Sequence, residues 1–313
     1  MTAPPTDPAR SEDALDAFRE NRIYLGADHS RNERRTLIVA GITIVALAVQ
    51  LAGGLAFNSM ALIAGGLHNA AHVAALGVAA LAYRLARRWA ADPRFTFGAG
   101  KLGYLAGFAN AVVLAFTALL IAAESLERLI SPEEVAYTEA IWLAAAGLVL
   151  SVVCMLILKP AGRHRHEGGD LNLSAVHLHL SADAIVSGLA IAGLVAGRAL
   201  GWNWADPLMG LAGAALVGHF ALSLVRRAAG VLLDVNPSPA LAEEIRLRLA
   251  AEGERVIDLH LWQLGPGHHA AVVVLAAERP APVEAYRARL AELPGLSHLT
   301  IEVRGTDAVH SCA

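Results

Sequence analysis

The stretch MALIAGGLHNAAHVAALGVAALAY, residues 60–83, contains no Asp, Glu, Lys or Arg and is followed by Arg84. The hydrocarbon core of a lipid bilayer is about 30 Å thick, so an α-helix needs about 20 apolar residues to cross it. Residues 60–83 therefore predict a membrane-spanning helix. Two histidines, His68 and His72, interrupt its apolar character four positions apart.

Further stretches on either side of this one have a similar length and character. They lie between clusters of charged residues, at 36–56, 102–123, 138–158, 172–197 and 207–225. The whole chain is 56% hydrophobic and 17% charged, whereas soluble domains carry about 25% charged residues. We therefore predict an all-α bundle of six transmembrane helices over residues 36–227, preceded by a polar N-terminal tail, residues 1–35.

The distribution of Lys and Arg predicts the orientation of this bundle, because positive residues concentrate on the cytoplasmic side of membrane proteins. One side of the predicted bundle has only Arg128 and Arg198. The other side has Arg31, Arg34, Arg35, Arg84, Arg87, Arg88, Arg94, Lys101, Lys159, Arg163, Arg165, Arg226 and Arg227. Both termini are therefore predicted to be cytoplasmic, and the chain is predicted to be a multi-pass protein of a bacterial inner membrane.

Residues 228–313 have the composition of a soluble domain. Apolar residues recur at helical spacing over 238–252 and 281–293. They follow strand-like patterns over 255–263, 269–276 and 299–303. The order αββαβ predicts a small α+β, ferredoxin-like cytoplasmic domain with its helices on one face of the sheet.

Composition disfavours two other classes of protein. The only cysteines, Cys154 and Cys312, do not make a disulfide framework. The formal net charge of −3 gives no reason to expect a nucleic-acid partner. The N-terminal residues also lack the short apolar core and cleavage site of a secretory signal.

Two pairs of polar side chains stand out inside the predicted spans. His68 and His72 lie four residues apart in the second span, and His179 and Asp183 have the same spacing in the fifth. Residues four apart share one face of a helix, so each pair can direct two ligands toward a common point. Two such faces opposite each other would form a His₃Asp site, which suits tetrahedral Zn²⁺ and also Co²⁺, Ni²⁺ or Fe²⁺.

The alternative interpretation of a histidine in a helical bundle is a hydrogen bond to a neighbouring helix. One pair alone does not decide between the two interpretations. Ionisable groups inside spans are costly, however, and tend to mark ion pathways or proton relays. Two pairs at ligand spacing therefore favour a metal site.

Several motifs together resemble the cation diffusion facilitator family, over about residues 31–305. They are His179-x-x-x-Asp183, Asn58-Ser59-Met60-Ala61-Leu62-Ile63, Phe97-Gly98-x-Gly100-Lys101, Asp206-Pro207 and Leu259-His260-Leu261-Trp262. The resemblance implies a homodimeric, proton-coupled exporter with six spans and a cytoplasmic metallochaperone-like domain. It also assigns His68, His72, His179 and Asp183 to the transport site.

The chain departs from the family pattern at several positions. His72 stands where zinc members most often have Asp, which resembles a cobalt- and nickel-exporting branch, as do residues 31–35 and 264–268. Gly65 and Gly103 stand where family members often carry acids.

The ligand types indicate how such an exporter works. Metal binding needs neutral imidazoles and an ionised carboxylate, so binding displaces protons. Imidazole titrates near neutral pH and can exchange a proton for a metal there. The expected function is export of Co²⁺, Ni²⁺ or Zn²⁺ by proton antiport, with the metal as cargo and no cofactor.

Other histidines have weaker patterns, for which ordinary packing or solvation remains the alternative. His177 lies off the ligand face, and His219 of the sixth span is a possible proton relay. Possible loop metal capture falls on His164 and His166. A possible regulatory metal site in the tail comprises His260, His268, His269, His298 and Cys312, with Glu302 and His310 nearby in sequence.

Two rival functions follow from the same residues. A membrane-embedded metal sensor or binding protein would hold a metal without transporting it, but the ligands lie in mid-span and not in the tail. A metallo-hydrolase would need a general base beside the metal, and the sequence shows none next to either pair. The sequence therefore favours a transporter and not an enzyme.

Overall fold

The computed structural model describes the backbone of residues 23–26, 28–56, 60–131, 136–159, 170–236, 238–250 and 253–305. The side chains of residues 54, 60–68 and 71 lie outside this description. The His68 side chain is among them, although the helix that carries it is described.

Six long helices precede the sheet in the described ranges. They are α1 His29–Ala56, α2 Met60–Arg88, α3 Leu102–Ile130, α4 Tyr137–Ile157, α5 Leu171–Leu200 and α6 Ala205–Leu232. Five of them, all but α2, contain stretches long and apolar enough to cross a membrane over the residues described. The prediction of a helical, membrane-spanning region is confirmed at this level.

The first helix begins before residue 36, where the first span was predicted to start. Residues 21–35 are too polar for a span, yet α1 starts at His29. The reason is that its polar side chains are buried against other helices. Asn32 donates to Asp170 at 2.9 Å, and the buried Glu33 pairs with Arg87 at 2.9 Å.

A small three-stranded domain follows the helices, as predicted. Its elements are α7 Pro239–Leu249, β1 Arg255–Gly265, β2 His268–Ala277, α8 Val283–Leu290 and β3 Leu296–Gly305. The central strand, β2, pairs antiparallel with β1 and parallel with β3. The parallel pair requires a crossover connection, which α8 provides.

The core of this domain forms where both helices cover the sheet. Ile245 and Leu249 of α7 and Tyr286 of α8 are fully buried against Val273 and Leu275 of β2. The Tyr286 hydroxyl accepts from the backbone N–H of Ala281 at 3.1 Å, so its polar end is satisfied inside the core.

Glycines set the close approach of helices in the bundle. A Cβ at Gly213 of α6 would lie 3.1 Å from Val186 of α5. A Cβ at Gly107 of α3 would lie 3.4 Å from the Leu171 carbonyl oxygen at the start of α5. Since helix association in lipid depends on van der Waals packing, these small residues favour a compact bundle.

The three-stranded domain packs against one end of the bundle, which we call the sheet end. Gln263 of β1 donates to the Tyr104 hydroxyl of α3 at 2.6 Å, and both side chains are buried. Phe97 stacks edge-on against Trp262, with ring centroids 5.5 Å apart. Lys101 forms an ion pair with Asp234 just beyond α6. The turn after α2 therefore lies between the bundle and the sheet.

Candidate metal centre

Two helices bring three ligand-type side chains together in the middle of the bundle. His179 Nε2 lies 3.0 Å from His72 Nδ1. Asp183 Oδ2 lies 3.3 Å from His72 Nε2 and 3.6 Å from His179 Nε2. The imidazole rings are nearly perpendicular, at 86°. His179 and Asp183 of α5 therefore lie against His72 of α2.

These distances fit coordination of a metal ion. Bonds of about 2.1 Å in a tetrahedral site place neighbouring ligand atoms about 3.4 Å apart. The separations of Asp183 Oδ2 from the two imidazole Nε2 atoms, 3.3 and 3.6 Å, bracket this value. Small ring movements would convert the hydrogen-bonded cluster into a coordination sphere.

The cluster is well shielded inside the helices. The His72 and His179 residues are each 6% exposed, and the Asp183 side chain is 13% exposed. On the sheet side it borders a small cavity whose walls include Leu76, Val176 and Asn110. A cation held here would be removed from water, so its binding would depend on the protein ligands.

His68, the fourth predicted ligand, has its side chain outside the described residues. Its backbone lies in α2, one helical turn before His72 and farther from the sheet end. The His₃Asp metal site therefore stays a prediction. In the described part of the chain, the one set of three His, Cys, Asp or Glu ligand atoms within 4.8 Å of one another is His72, His179 and Asp183.

The histidines of the sheet domain are separately engaged. His260 pairs with Asp258 at 2.8 Å on the surface. His268 Nδ1 lies 2.7 Å from Ser297 Oγ, and the His298 ring packs against Phe97. His269 Nδ1 lies 3.3 Å from the Gly295 carbonyl oxygen, and Glu302 contacts Arg304 at 2.7 Å.

Several predicted tail and loop ligands fall outside the described residues, namely His164, His166, His310 and Cys312. The regulatory site and the loop capture site therefore stay predictions. His219 lies on the exposed surface of α6, and His177 is half-buried on α5. Neither belongs to the described ligand cluster.

Sequence reasoning missed the asparagines around α2. Asn110 of α3 donates to the Ala75 carbonyl oxygen at 3.3 Å. Asn172 of α5 donates to the Ala79 carbonyl oxygen at 3.0 Å. A Cβ at Gly103, where the family often has an acid, would lie 3.6 Å from the Asn172 Cβ. The space beside Gly103 is therefore next to a buried carboxamide.

Comparison with known proteins identifies the family. The model of the cation efflux transmembrane domain matches residues 36–233. The chain belongs to the cation efflux family. As a member, it is a multi-pass membrane protein, and the resemblance to metal exporters is confirmed.

Characterised cation efflux proteins align over most of this chain. The zinc transporter ZitB of Escherichia coli (strain K12) is 32% identical over 238 residues, which cover 75% of this chain and 74% of the relative. The metal cation efflux system protein CzcD of Cupriavidus metallidurans is 30% identical over 294 residues, covering 89% and 90%. The cadmium, cobalt and zinc/H⁺-K⁺ antiporter of Bacillus subtilis is 29% identical over 248 residues, covering 77% and 78%.

Proposed function

We propose that this cation efflux protein exports Co²⁺, Ni²⁺ or Zn²⁺ from the cytoplasm in exchange for protons. The observation that carries the proposal is the buried cluster of His72, His179 and Asp183 between α2 and α5. The protein would act as a homodimer in a bacterial inner membrane. It would have six spans, with the sheet end facing the cytoplasm.

The cluster supplies chemistry suited to transport. Two imidazoles and one carboxylate bind a divalent first-row metal, and His68 would complete four ligands. An imidazole that is protonated must release one proton to bind the metal, and it can take up a proton again when the metal leaves. Reprotonation on the side opposite the sheet end would release the ion, which couples export to proton entry.

The relatives support the class of cargo. The Escherichia coli relative is named as a zinc transporter, and the Bacillus subtilis relative is named as an antiporter of cadmium, cobalt and zinc with H⁺ and K⁺. Imidazole at position 72 is compatible with each of the three metals proposed, because imidazole suits Zn, Ni and related ions. Ligand type alone does not rank them.

Transport in inside-out vesicles tests the function. An acid-inside gradient should drive Co²⁺, Ni²⁺ or Zn²⁺ into vesicles that contain the protein, and collapse of the gradient should stop uptake. Asp183→Ala should abolish uptake, whereas Ser181→Ala on the same helix should keep it, because Ser181 bonds only to His177 and Met155 in the described structure. Uptake by Asp183→Ala at the wild-type rate would refute the site.

A further inference from the structure

Three buried asparagines surround the sheet-end half of α2, and each comes from a different helix. Asn110 of α3, Asn172 of α5 and Asn32 of α1 are 3%, 0% and 4% exposed. We call these three residues the asparagine row. Their side-chain nitrogens all donate within the bundle, to the Ala75 and Ala79 carbonyl oxygens and to the Asp170 carboxylate.

The side-chain oxygen of each of these carboxamides has no hydrogen-bond partner in the described structure. In the described structure the Oδ1 atoms of Asn110, Asn172 and Asn32 are buried and accept no hydrogen bond. Orphaned buried acceptors are uncommon in native proteins, and each calls for an explanation such as a water or an ion. Three of them in one row point to a shared cause.

The row leads away from the candidate metal centre toward the sheet end. Asn110 lines the cavity that His72 and His179 also line. Asn110 and Asn172 bond to Ala75 and Ala79 of α2, and Asn32 bonds to the carboxylate that also accepts from Tyr83. These α2 positions are four residues apart, so each step along the helix is about 6 Å. From His72 of the candidate metal centre to Tyr83 at the far end of the row, the distance along the helix is roughly 16 Å.

An acidic group stands at the outer end of the row. Asp170 Oδ2 accepts from Asn32 at 2.9 Å and from the Tyr83 hydroxyl at 2.5 Å, and Asp170 Oδ1 accepts from the Leu173 N–H at 3.1 Å. These donors are neutral, and no Lys or Arg among the described side chains pairs with this carboxylate. An anion at the mouth of a narrow passage raises the local concentration of cations.

We propose that the asparagine row is the access route by which a divalent cation reaches His72, His179 and Asp183 from the sheet end. Carboxamide oxygens replace part of the hydration shell as the ion loses water. They are neutral and therefore bind the ion weakly. Passage through a membrane protein requires sites that bind well enough for an ion to enter and weakly enough for it to leave.

This inference rests on the proposed function and adds residues that act before the ion binds. A competing explanation is that the asparagines only join helices through their Nδ2 donors, as polar side chains in bundles do. The two explanations differ in which carboxamide atom matters. Replacement by Leu removes both atoms, whereas replacement by Asp retains an oxygen and adds charge.

Metal uptake by proteoliposomes that contain a zinc-sensitive dye separates the explanations. Asn172→Leu and Asn110→Leu should each raise the KM for Zn²⁺ by about tenfold, the loss expected for one oxygen contact. Their calorimetric affinity for Zn²⁺ at the centre should stay within about twofold of wild type. Asn172→Asp should lower the KM below the wild-type value, because a charged oxygen holds the ion more strongly. Tyr137→Phe, which removes a 2.9 Å bond to Asn203 at the opposite end of the bundle, is the control and should leave the KM unchanged.

The outcomes distinguish this inference from the proposed function. If the wild-type protein transports Zn²⁺ but the Leu variants keep the wild-type KM, the row has no role in access. If the Leu and Asp variants raise the KM together, the asparagines act only as helix contacts, and the inference is again overturned. A wild-type protein that transports none of Co²⁺, Ni²⁺ and Zn²⁺ would contradict the proposed function itself.

Discussion

Replacing Asp183 by Asn changes one charge at the candidate metal centre while almost preserving its shape. Asp183 supplies the one carboxylate among the three gathered ligands, and its Oδ2 atom faces both imidazoles. The carboxamide that Asp183→Asn introduces has almost the same size and keeps an oxygen beside the two imidazoles. We therefore expect the metal-free protein to fold and melt as the wild type does.

Asp183→Asn should change the metal affinity far more than the stability of the protein. Without the carboxylate, a divalent ion would sit among neutral imidazoles in a buried site. Leaving a buried charge without its partner costs about 3–5 kcal/mol, which corresponds to binding weaker by a factor between roughly 10² and several times 10³. If Asp183 only hydrogen-bonded the two rings, the change would be about 1 kcal/mol, or less than tenfold.

Calorimetric titration of the purified protein with Zn²⁺ and Co²⁺ measures this difference. Ser181→Ala, on the same helix but off the ligand face, serves as the control and should bind both metals as the wild type does. A dissociation constant for Asp183→Asn within tenfold of the wild-type value would refute the assignment of Asp183 as a metal ligand. A large loss of affinity with an unchanged melting temperature would support it.

Three further substitutions test other parts of the structure. Gly100→Ala should destabilise the packing of the sheet domain on the bundle by about 1–3 kcal/mol, because the new Cβ would lie 2.8 Å from the Tyr24 carbonyl oxygen. Faster limited proteolysis would show this loss. Gly77→Ala, with open space around the new Cβ, is the control. Tyr104→Phe removes the 2.6 Å hydrogen bond between Tyr104 and Gln263. Because a buried hydrogen bond contributes about 1 kcal/mol, the melting temperature of the sheet domain should fall by a few degrees in differential scanning fluorimetry. His72→Asp should favour Zn²⁺ over Co²⁺ and Ni²⁺ in competitive uptake, because the zinc members that the chain resembles most often have Asp at this position. An unchanged order of preference would contradict a selective role for the imidazole.

The ligand cluster was predictable as far as helical geometry reaches. The spacing of His179 and Asp183 fixes that they share one face of α5, because the helical repeat is a local property. Their approach to His72 depends on how α5 packs against α2, which no spacing within one helix specifies. The family resemblance, and not the spacing, led us to expect that contact; in the structure Asp183 Oδ2 lies 3.3 Å from His72 Nε2.

No sequence pattern predicted the asparagine row. Asn32, Asn110 and Asn172 come from three helices and have no common spacing, so only the packed bundle brings them along α2. The early start of α1 was missed for a related reason. Hydropathy counts Asn32 and Glu33 as solvent-exposed, whereas interhelix hydrogen bonds and ion pairs allow such side chains to be buried.

The burial of Tyr24 has a consequence for folding during synthesis of the chain. Its residue is 3% exposed, and its carbonyl oxygen lies where a Cβ at either Gly100 or Gly265 would fall. The ribosome makes Gly265 about 240 residues after Tyr24, which takes some 10–50 s at ordinary elongation rates. Tyr24 therefore cannot complete its packing against Gly265 until the strand that carries this glycine has been synthesised.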